Sequence, residues 1–368
     1  LNFIHQKLQE RIAANALRTL KSENNLIDFS SNDYLGFAKS LSVKEWVDEI
    51  AYSQKLRNGA GGSRLITGNS SFTETLEKEI ARFHQAASGL IFNSGYDANI
   101  GLLSSLPQKG DTIICDELIH ASLIDGARLS YAQRYTFKHH DLAHLESKIK
   151  NSQGNIFIVT ESIFSMDGDH APLKEITALA TQYGAYLIVD EAHATGIFGK
   201  HGRGLVCELG LENQVFARVV TFGKALGCHG AMVLGNDELR SYLINFARSF
   251  IYTTALPPHS LYTIKAAYEQ LKSSDYTLLI QKKIAYFKQL TSKLGIALMP
   301  SNSAIQGIII PGNTACRQAA ATLNESGFDI RPILSPTVPV GKERLRICLH
   351  TFNTDEEIEK LSEALAKI

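Results

Sequence analysis

Arg218-Val219-Val220-Thr221-Phe222-Gly223-Lys224-Ala225-Leu226-Gly227 decides the fold. A β-branched run that stops in small residues reads as a buried strand opening into a turn. Lys224 then projects from the strand end, where lost hydration favours its neutral, nucleophilic amine. Gly223, Gly227 and Gly230 are expected to clear side-chain bulk so that a flat ligand reaches that amine. Taken alone, the stretch reads equally as a surface lysine in a turn, so the surrounding chain has to decide.

Upstream, from about Ala86 to Leu234, short apolar runs alternate with helical stretches, the pattern of a mostly parallel sheet covered by helices. The runs are Gly89–Phe92, Thr112–Cys115, Ile156–Thr160, Tyr186–Val189 and Val219–Phe222. In such α/β sheets the ligand site gathers at the carboxyl ends of the strands. After the first run, Ser94-Gly95-Tyr96 opens a helix whose free N–H groups and dipole make an anion cup. After the second comes His120, which by itself reads as a packed or capping histidine or as a site residue with an aromatic face. After the third comes a polar loop holding Ser165.

The fourth run ends directly in Asp190-Glu191-Ala192-His193. A carboxylate at the end of an apolar strand is partly buried and costly without a cationic partner, and Lys224 arrives from another strand end of the same sheet. The same tetrad occurs in nucleic-acid helicases, but those need a phosphate loop with its own lysine, and none is present. The glycine cluster Gly59-Ala60-Gly61-Gly62-Ser63-Arg64 fits neither nucleotide fingerprint. It reads as a close backbone approach to a ligand or a partner subunit.

Further out, Ile4, Leu8, Ile12, Ala16 and Leu20 form one apolar stripe on a helix expected over Phe3–Lys21, with Arg18 near its end. Beyond Leu256-Pro257-Pro258 come two long amphipathic helices and then short strands and helices, a smaller α+β unit. The organisation expected is an N-terminal segment (1–40), a large domain (41–269) and a small C-terminal domain (270–368).

Lys+Arg 37 against Asp+Glu 37 leaves no net field to attract nucleic acid or an anionic membrane. The five cysteines never fall in Cys-x-x-Cys spacing, so neither a disulfide framework nor a metal site is expected. No apolar run reaches the roughly 20 residues of a membrane span, and the first residues lack a leader pattern. A cytoplasmic location is expected.

A reactive lysine, a buried aspartate, a histidine and an anion cup at neighbouring strand ends suit pyridoxal phosphate. That cofactor needs a lysine to hold it, a carboxylate at its ring nitrogen and a phosphate seat. Nine segments carry a resemblance: Asn32–Gly36, residues 59–68, Ser94–Asn99, His120-Ala121-Ser122, Phe164–Asp169, Asp190–His193, Thr221–Lys224, Pro336–Pro339 and Arg344–Arg346. In this order, along nearly the whole chain, they resemble the α-oxoamine synthase family.

The resemblance implies a fold-type-I, aspartate aminotransferase-like enzyme, homodimeric, with its active site at the subunit interface. It implies that Lys224 carries the cofactor, that Asp190 meets the ring nitrogen, that His193 bonds the ring hydroxyl and that His120 stacks on the ring. Ser94, Gly95, Tyr96, Ser165 and Thr221 would line the cofactor and its phosphate, with Thr254 reaching across from the other subunit. Arg346 would grip the amino-acid carboxylate beside Asn32, while Arg18 and Thr337 would contact the acyl substrate.

The implied reaction is decarboxylative condensation of L-alanine with a pimeloyl thioester, on coenzyme A or an acyl carrier protein, early in biotin-ring construction. The alternatives are a relative using glycine and acetyl-CoA, or a silent pyridoxal-phosphate-binding scaffold. Leu334-Ser335-Pro336 departs from the family's Arg-Pro-Pro, which leaves the acyl pocket and the role of Arg331 open. His229 and His140 are unusual residues for which packing is the expected role.

Overall fold

The computed structural model describes residues 2–20, 22 and 25–368. The chain divides into two compact units: a larger one of Asp33–Phe164 and His170–Leu279, and a smaller one of the residues up to Asn32, Ser165–Asp169 and Ile280–Ile368.

β1 (Ile27–Asp28) belongs to the smaller unit. The larger unit is built on β2 (Ser88–Phe92), β3 (Thr112–Asp116), β4 (Gln133–Phe137), β5 (Ile156–Glu161), β6 (Tyr186–Asp190), β7 (Ala217–Thr221) and β8 (Ala231–Gly235). They form one sheet in the order β2-β8-β7-β6-β5-β3-β4, parallel except that β8 runs antiparallel to both neighbours. Strands such as β3 and β7 are buried at every position, which is why they read as continuous apolar runs rather than alternating ones. β4 gives no such signal: four of its five residues are exposed, as suits a strand at the sheet edge. Each of the five runs expected from the sequence lies on a strand, apart from Phe222, which falls one residue past the end of β7.

Two differences from the sequence expectations have local causes. The N-terminal helix spans Asn2–Ala13 and stops well short of Lys21, which itself lies outside the described residues. Asn15 takes a left-handed backbone (φ 48), and Arg317 Nε donates to the Asn15 carbonyl at 2.9 Å, so the chain turns away there. None of that helix's residues is buried, so its apolar stripe is covered by nothing among the described residues.

Glycines in the lysine turn also serve a different purpose than expected. A Cβ at Gly227 (φ +60) would fall 2.0 Å from Ala38 N, and one at Gly230 (φ +112) would fall 3.0 Å from Leu256 Cδ1. Both are needed for packing against the protein's own chain. Only at Gly223, where the nearest atom would lie at 3.6 Å, would a Cβ fit at ordinary contact distance.

In the smaller unit β9 (Ile305–Ile309), β11 (Arg331–Ile333) and β12 (Arg344–Cys348) make an antiparallel sheet in the order β11-β12-β9, and β10 (Phe328–Asp329) pairs in parallel with β1. The helices Asn313–Glu325 and Asp355–Leu365 belong to this unit, the latter opened by a capping box of Thr354 and Glu357. Among the described residues no helix is long and apolar enough to cross a membrane.

Candidate active site

In the larger unit the polar residues expected from the sequence do collect at strand ends. Lys224 follows β7, and its Nζ lies 2.6 Å from His193 Nε2. His193, just past β6 and 4% exposed, reaches the Tyr34 hydroxyl with Nδ1 at 2.7 Å. One imidazole therefore bridges a phenol and the amine. Asp190, the last residue of β6, is 6% exposed and accepts from Ala192 N at 2.9 Å and from Asn99 Nδ2 at 2.8 Å. A buried carboxylate with two donors of this kind is held in one orientation.

Beside it stands a second carboxylate. Glu161 ends β5 in register with Asp190, is 2% exposed, and accepts the His120 backbone N–H at 2.5 Å. Burial first, and then repulsion from Asp190, push its carboxyl up to about 8, against the pull of Lys224. His120 caps the Ala121–Leu129 helix, leaving part of its surface open. Burial of its bonded side and then the Lys224 cation hold its ring below the usual histidine range. Neither Asn99 nor Glu161 stands out in the sequence. Glu161 does share the one signal that marks Asp190, a carboxylate closing an apolar strand.

The Gly95–Ser105 helix starts at the same rim, with Ser94 as its cap. Ser94 Oγ accepts from Asp97 N and donates to Asp97 Oδ2, so it is occupied by its own helix, while Gly95 lies against Thr221. The Tyr96 hydroxyl donates to Asp125 at 2.5 Å. Thr254 is exposed, with its carbonyl held by Asn93 Nδ2 at 2.8 Å.

The smaller unit gathers the other expected residues in two groups. Arg346 on β12 is 8% exposed and donates to Ser165 O at 2.8 Å, Asn32 Oδ1 at 2.9 Å and Cys348 Sγ at 3.0 Å. Arg18 donates to Thr337 Oγ1 at 3.2 Å on the wall of a pocket of about 650 Å³, also lined by Arg11, Arg317 and Arg331. Arg331 is turned to Asp329 by a hydrogen bond of 2.9 Å and an ion-pair contact of 2.7 Å. His140 stacks on His139 with centroids 3.7 Å apart and lies edge-on to Phe164, a packing role.

The donor set of the larger unit fits pyridoxal phosphate: a primary amine in an open turn, an imidazole touching it, a buried oriented carboxylate and a helix N-terminus. The chain matches the class I and II aminotransferase family over residues 24–365. It is 43% identical to the 8-amino-7-oxononanoate synthase of Emericella nidulans, over 98% of this chain and 93% of that one. Among solved structures it is similar to 8-amino-7-oxononanoate synthase from Francisella tularensis, with TM-score 0.81 and 30% identity over 94% of this chain and 98% of that one. It is also similar to Sphingomonas wittichii serine palmitoyltransferase, with TM-score 0.90 and 27% identity over 100% of this chain and 96% of that one. With that geometry and these relatives, the chain belongs to the class I and II aminotransferase family and, within it, to the pyridoxal-phosphate-dependent α-oxoamine synthases.

Proposed function

We propose that this enzyme condenses L-alanine with a pimeloyl thioester, releasing carbon dioxide and the free thiol and forming 8-amino-7-oxononanoate for biotin. The observation that carries the proposal is the 2.6 Å approach of Lys224 to His193 next to the oriented Asp190 carboxylate. It occurs in a chain 43% identical to an 8-amino-7-oxononanoate synthase over nearly its full length.

When bound, pyridoxal phosphate supplies an electron sink for the carbanion at the alanine Cα. Lys224 would hold the cofactor through its amine and would serve as the general base for the alanine Cα proton. Asp190 would keep the ring nitrogen protonated, and its two fixed donors stop it from turning away. His193 would bond the ring hydroxyl, and His120 would cover one ring face. Ser94, Gly95, Tyr96, Thr221 and Ser165 would line the cofactor and its phosphate. Arg346, aligned by Asn32, takes the substrate carboxylate through its planar fork. Arg18 and Thr337 take the acyl donor.

A homodimer in which Thr254 serves the neighbouring subunit's phosphate belongs to the same proposal, as does a cytoplasmic location, which five free thiols suit. Alanine and glycine differ by one methyl group, worth about 1–3 kcal/mol of discrimination. The test therefore offers each amino acid with pimeloyl-CoA, a pimeloyl-carrier protein and acetyl-CoA, and follows thiol release and product mass. Alanine with a pimeloyl donor should be fastest, and Lys224→Ala should abolish both turnover and the visible absorption band. Faster turnover of glycine with acetyl-CoA would overturn the substrate assignment, and no thiol release from any pair would overturn the enzyme.

A further inference from the structure

Asn99, Ser122, His120 and Asp190 form one directed hydrogen-bond chain. Asn99, 1% exposed on the Gly95–Ser105 helix, places Nδ2 2.8 Å from Asp190 Oδ2 and 2.9 Å from Ser122 Oγ. Ser122 Oγ lies 2.8 Å from His120 Nδ1, and the Ser122 backbone N–H donates to the same nitrogen at 3.2 Å.

Every proton in this chain has one place to go. A carboxylate only accepts, so the Asn99 amide must turn its NH2 to Asp190, and its second hydrogen goes to Ser122 Oγ. The serine hydroxyl, having accepted, gives its own hydrogen to His120 Nδ1, which already accepts from a backbone N–H. Nδ1 therefore carries no proton, and the neutral ring is the Nε2–H tautomer. Asn99 Oδ1 is buried with no hydrogen-bond partner among the described residues. Leaving an acceptor unmet is costly, so the amide is oriented by its two donor bonds and not by its oxygen.

We propose that Asn99 is a positioning residue: through its two amide hydrogens it couples the Asp190 carboxylate to the His120 ring, fixing the aspartate's orientation and the histidine's Nε2–H tautomer. This rests on the reading of Asp190 and His120 as cofactor contacts. It explains why a polar side chain stands fully buried in that helix, where a leucine would fill similar volume without an unmet oxygen. A protonated Nδ1 would face the Ser122 N–H, which the geometry disfavours.

The test compares the wild type with Asn99→Leu and Ser122→Ala. Nitrogen-15 spectra of the apoprotein should show His120 with its proton on Nε2, and both variants should shift part of the population to Nδ1–H, only part because the backbone N–H of residue 122 still donates to Nδ1. Pyridoxal phosphate affinity, followed by visible absorbance, should fall about 10- to 100-fold in Asn99→Leu, the loss expected for one hydrogen bond to a charged acceptor. It should fall less in Ser122→Ala, which keeps the bond to Asp190. If Asn99→Leu fails to fold, the tautomer in Ser122→Ala decides alone.

A wild-type His120 protonated on Nδ1 would overturn the proposal, as would variants that keep the wild-type tautomer and affinity. A wild-type protein that binds no pyridoxal phosphate would instead overturn the reading of the site, and the apoprotein spectra would still decide the tautomer.

Discussion

Replacing Asp190 by asparagine strikes the site at its most committed polar group. Both carboxylate oxygens already have donors, Ala192 N–H at 2.9 Å and Asn99 Nδ2 at 2.8 Å. An asparagine keeps one oxygen and sets an NH2 in the place of the other, so a donor faces a donor unless Asn99 turns its own amide and gives up its donation to Ser122. One hydrogen bond to a charged group is lost outright, a loss of about 1.5–3 kcal/mol, and the survivor is weakened because the charge is gone. On the proposed assignment the ring nitrogen of the cofactor would lose its counter-charge at the same time. Cofactor affinity should fall about 10- to 100-fold, and turnover with alanine should fall by a further factor of about 100 or more, the scale of removing one preorganised electrostatic group. The same change has a readout without cofactor: it removes the repulsion that helps raise Glu161, so that carboxyl should titrate below about 8. Affinity is read by titrating the apoprotein and following visible absorbance, turnover by thiol release, and Glu161 by carbon-13 spectra of its carboxyl. An Asp190→Asn protein with wild-type affinity and turnover would refute the assignment of Asp190 to the ring nitrogen.

Glu77, 1% exposed, accepts from Arg64 at 2.7 Å, Arg240 at 2.9 Å and Ile91 N at 2.9 Å, tying the glycine cluster to β2. Glu77→Ala should cost about 3 kcal/mol, the lower end for breaking a buried pair because Glu74 still serves both arginines, and a urea midpoint equal to the wild type would contradict it. Arg346→Lys cannot reproduce the bonds to both Ser165 and Asn32, so KM for the amino acid should rise about tenfold with a smaller change in kcat; an unchanged KM would remove Arg346 from the carboxylate site. His84 is fully buried between Arg203 O and the Tyr268 hydroxyl, and burial followed by the nearby Arg218 cation pushes it down to about 3. Its folded value lies below the unfolded one near 6.5, so its contribution is intact above that value and is lost as pH falls toward about 3. Between pH 7 and pH 5 this removes about 2 kcal/mol, and His84→Gln should show a correspondingly smaller loss of stability over that interval, measured by urea unfolding at both pH values.

What the sequence discloses and what it conceals here divide by the range of the physical signal. Lys224, Asp190 and the Ser94-Gly95 helix start are legible because each closes or follows an apolar run within a few residues, and the sheet direction then brings their ends to one rim. β4 is not legible because an exposed edge strand of Gln, Arg, Tyr and Thr carries no hydrophobic period. Gly227 looks like room for a ligand because the turn is local, whereas its actual constraint, Ala38, lies far back in the chain.

Asn99 illustrates the limit most clearly. In sequence it closes the Ser94–Asn99 segment of the resemblance, but nothing local tells its burial or its partners. Its partner Asp190 is 91 residues away, and Ser122 is 23. Glu161 becomes Asp190's neighbour only through the register of two parallel strands, a pairing that neither segment specifies by itself. Groups that do chemistry must sit at strand ends, where local pattern exposes them. Groups that set their charge and tautomer reach them through burial and register, so their roles become visible only once the sheet is assembled, and they are where substitutions that spare Lys224, Asp190, His120 and His193 should still alter the site.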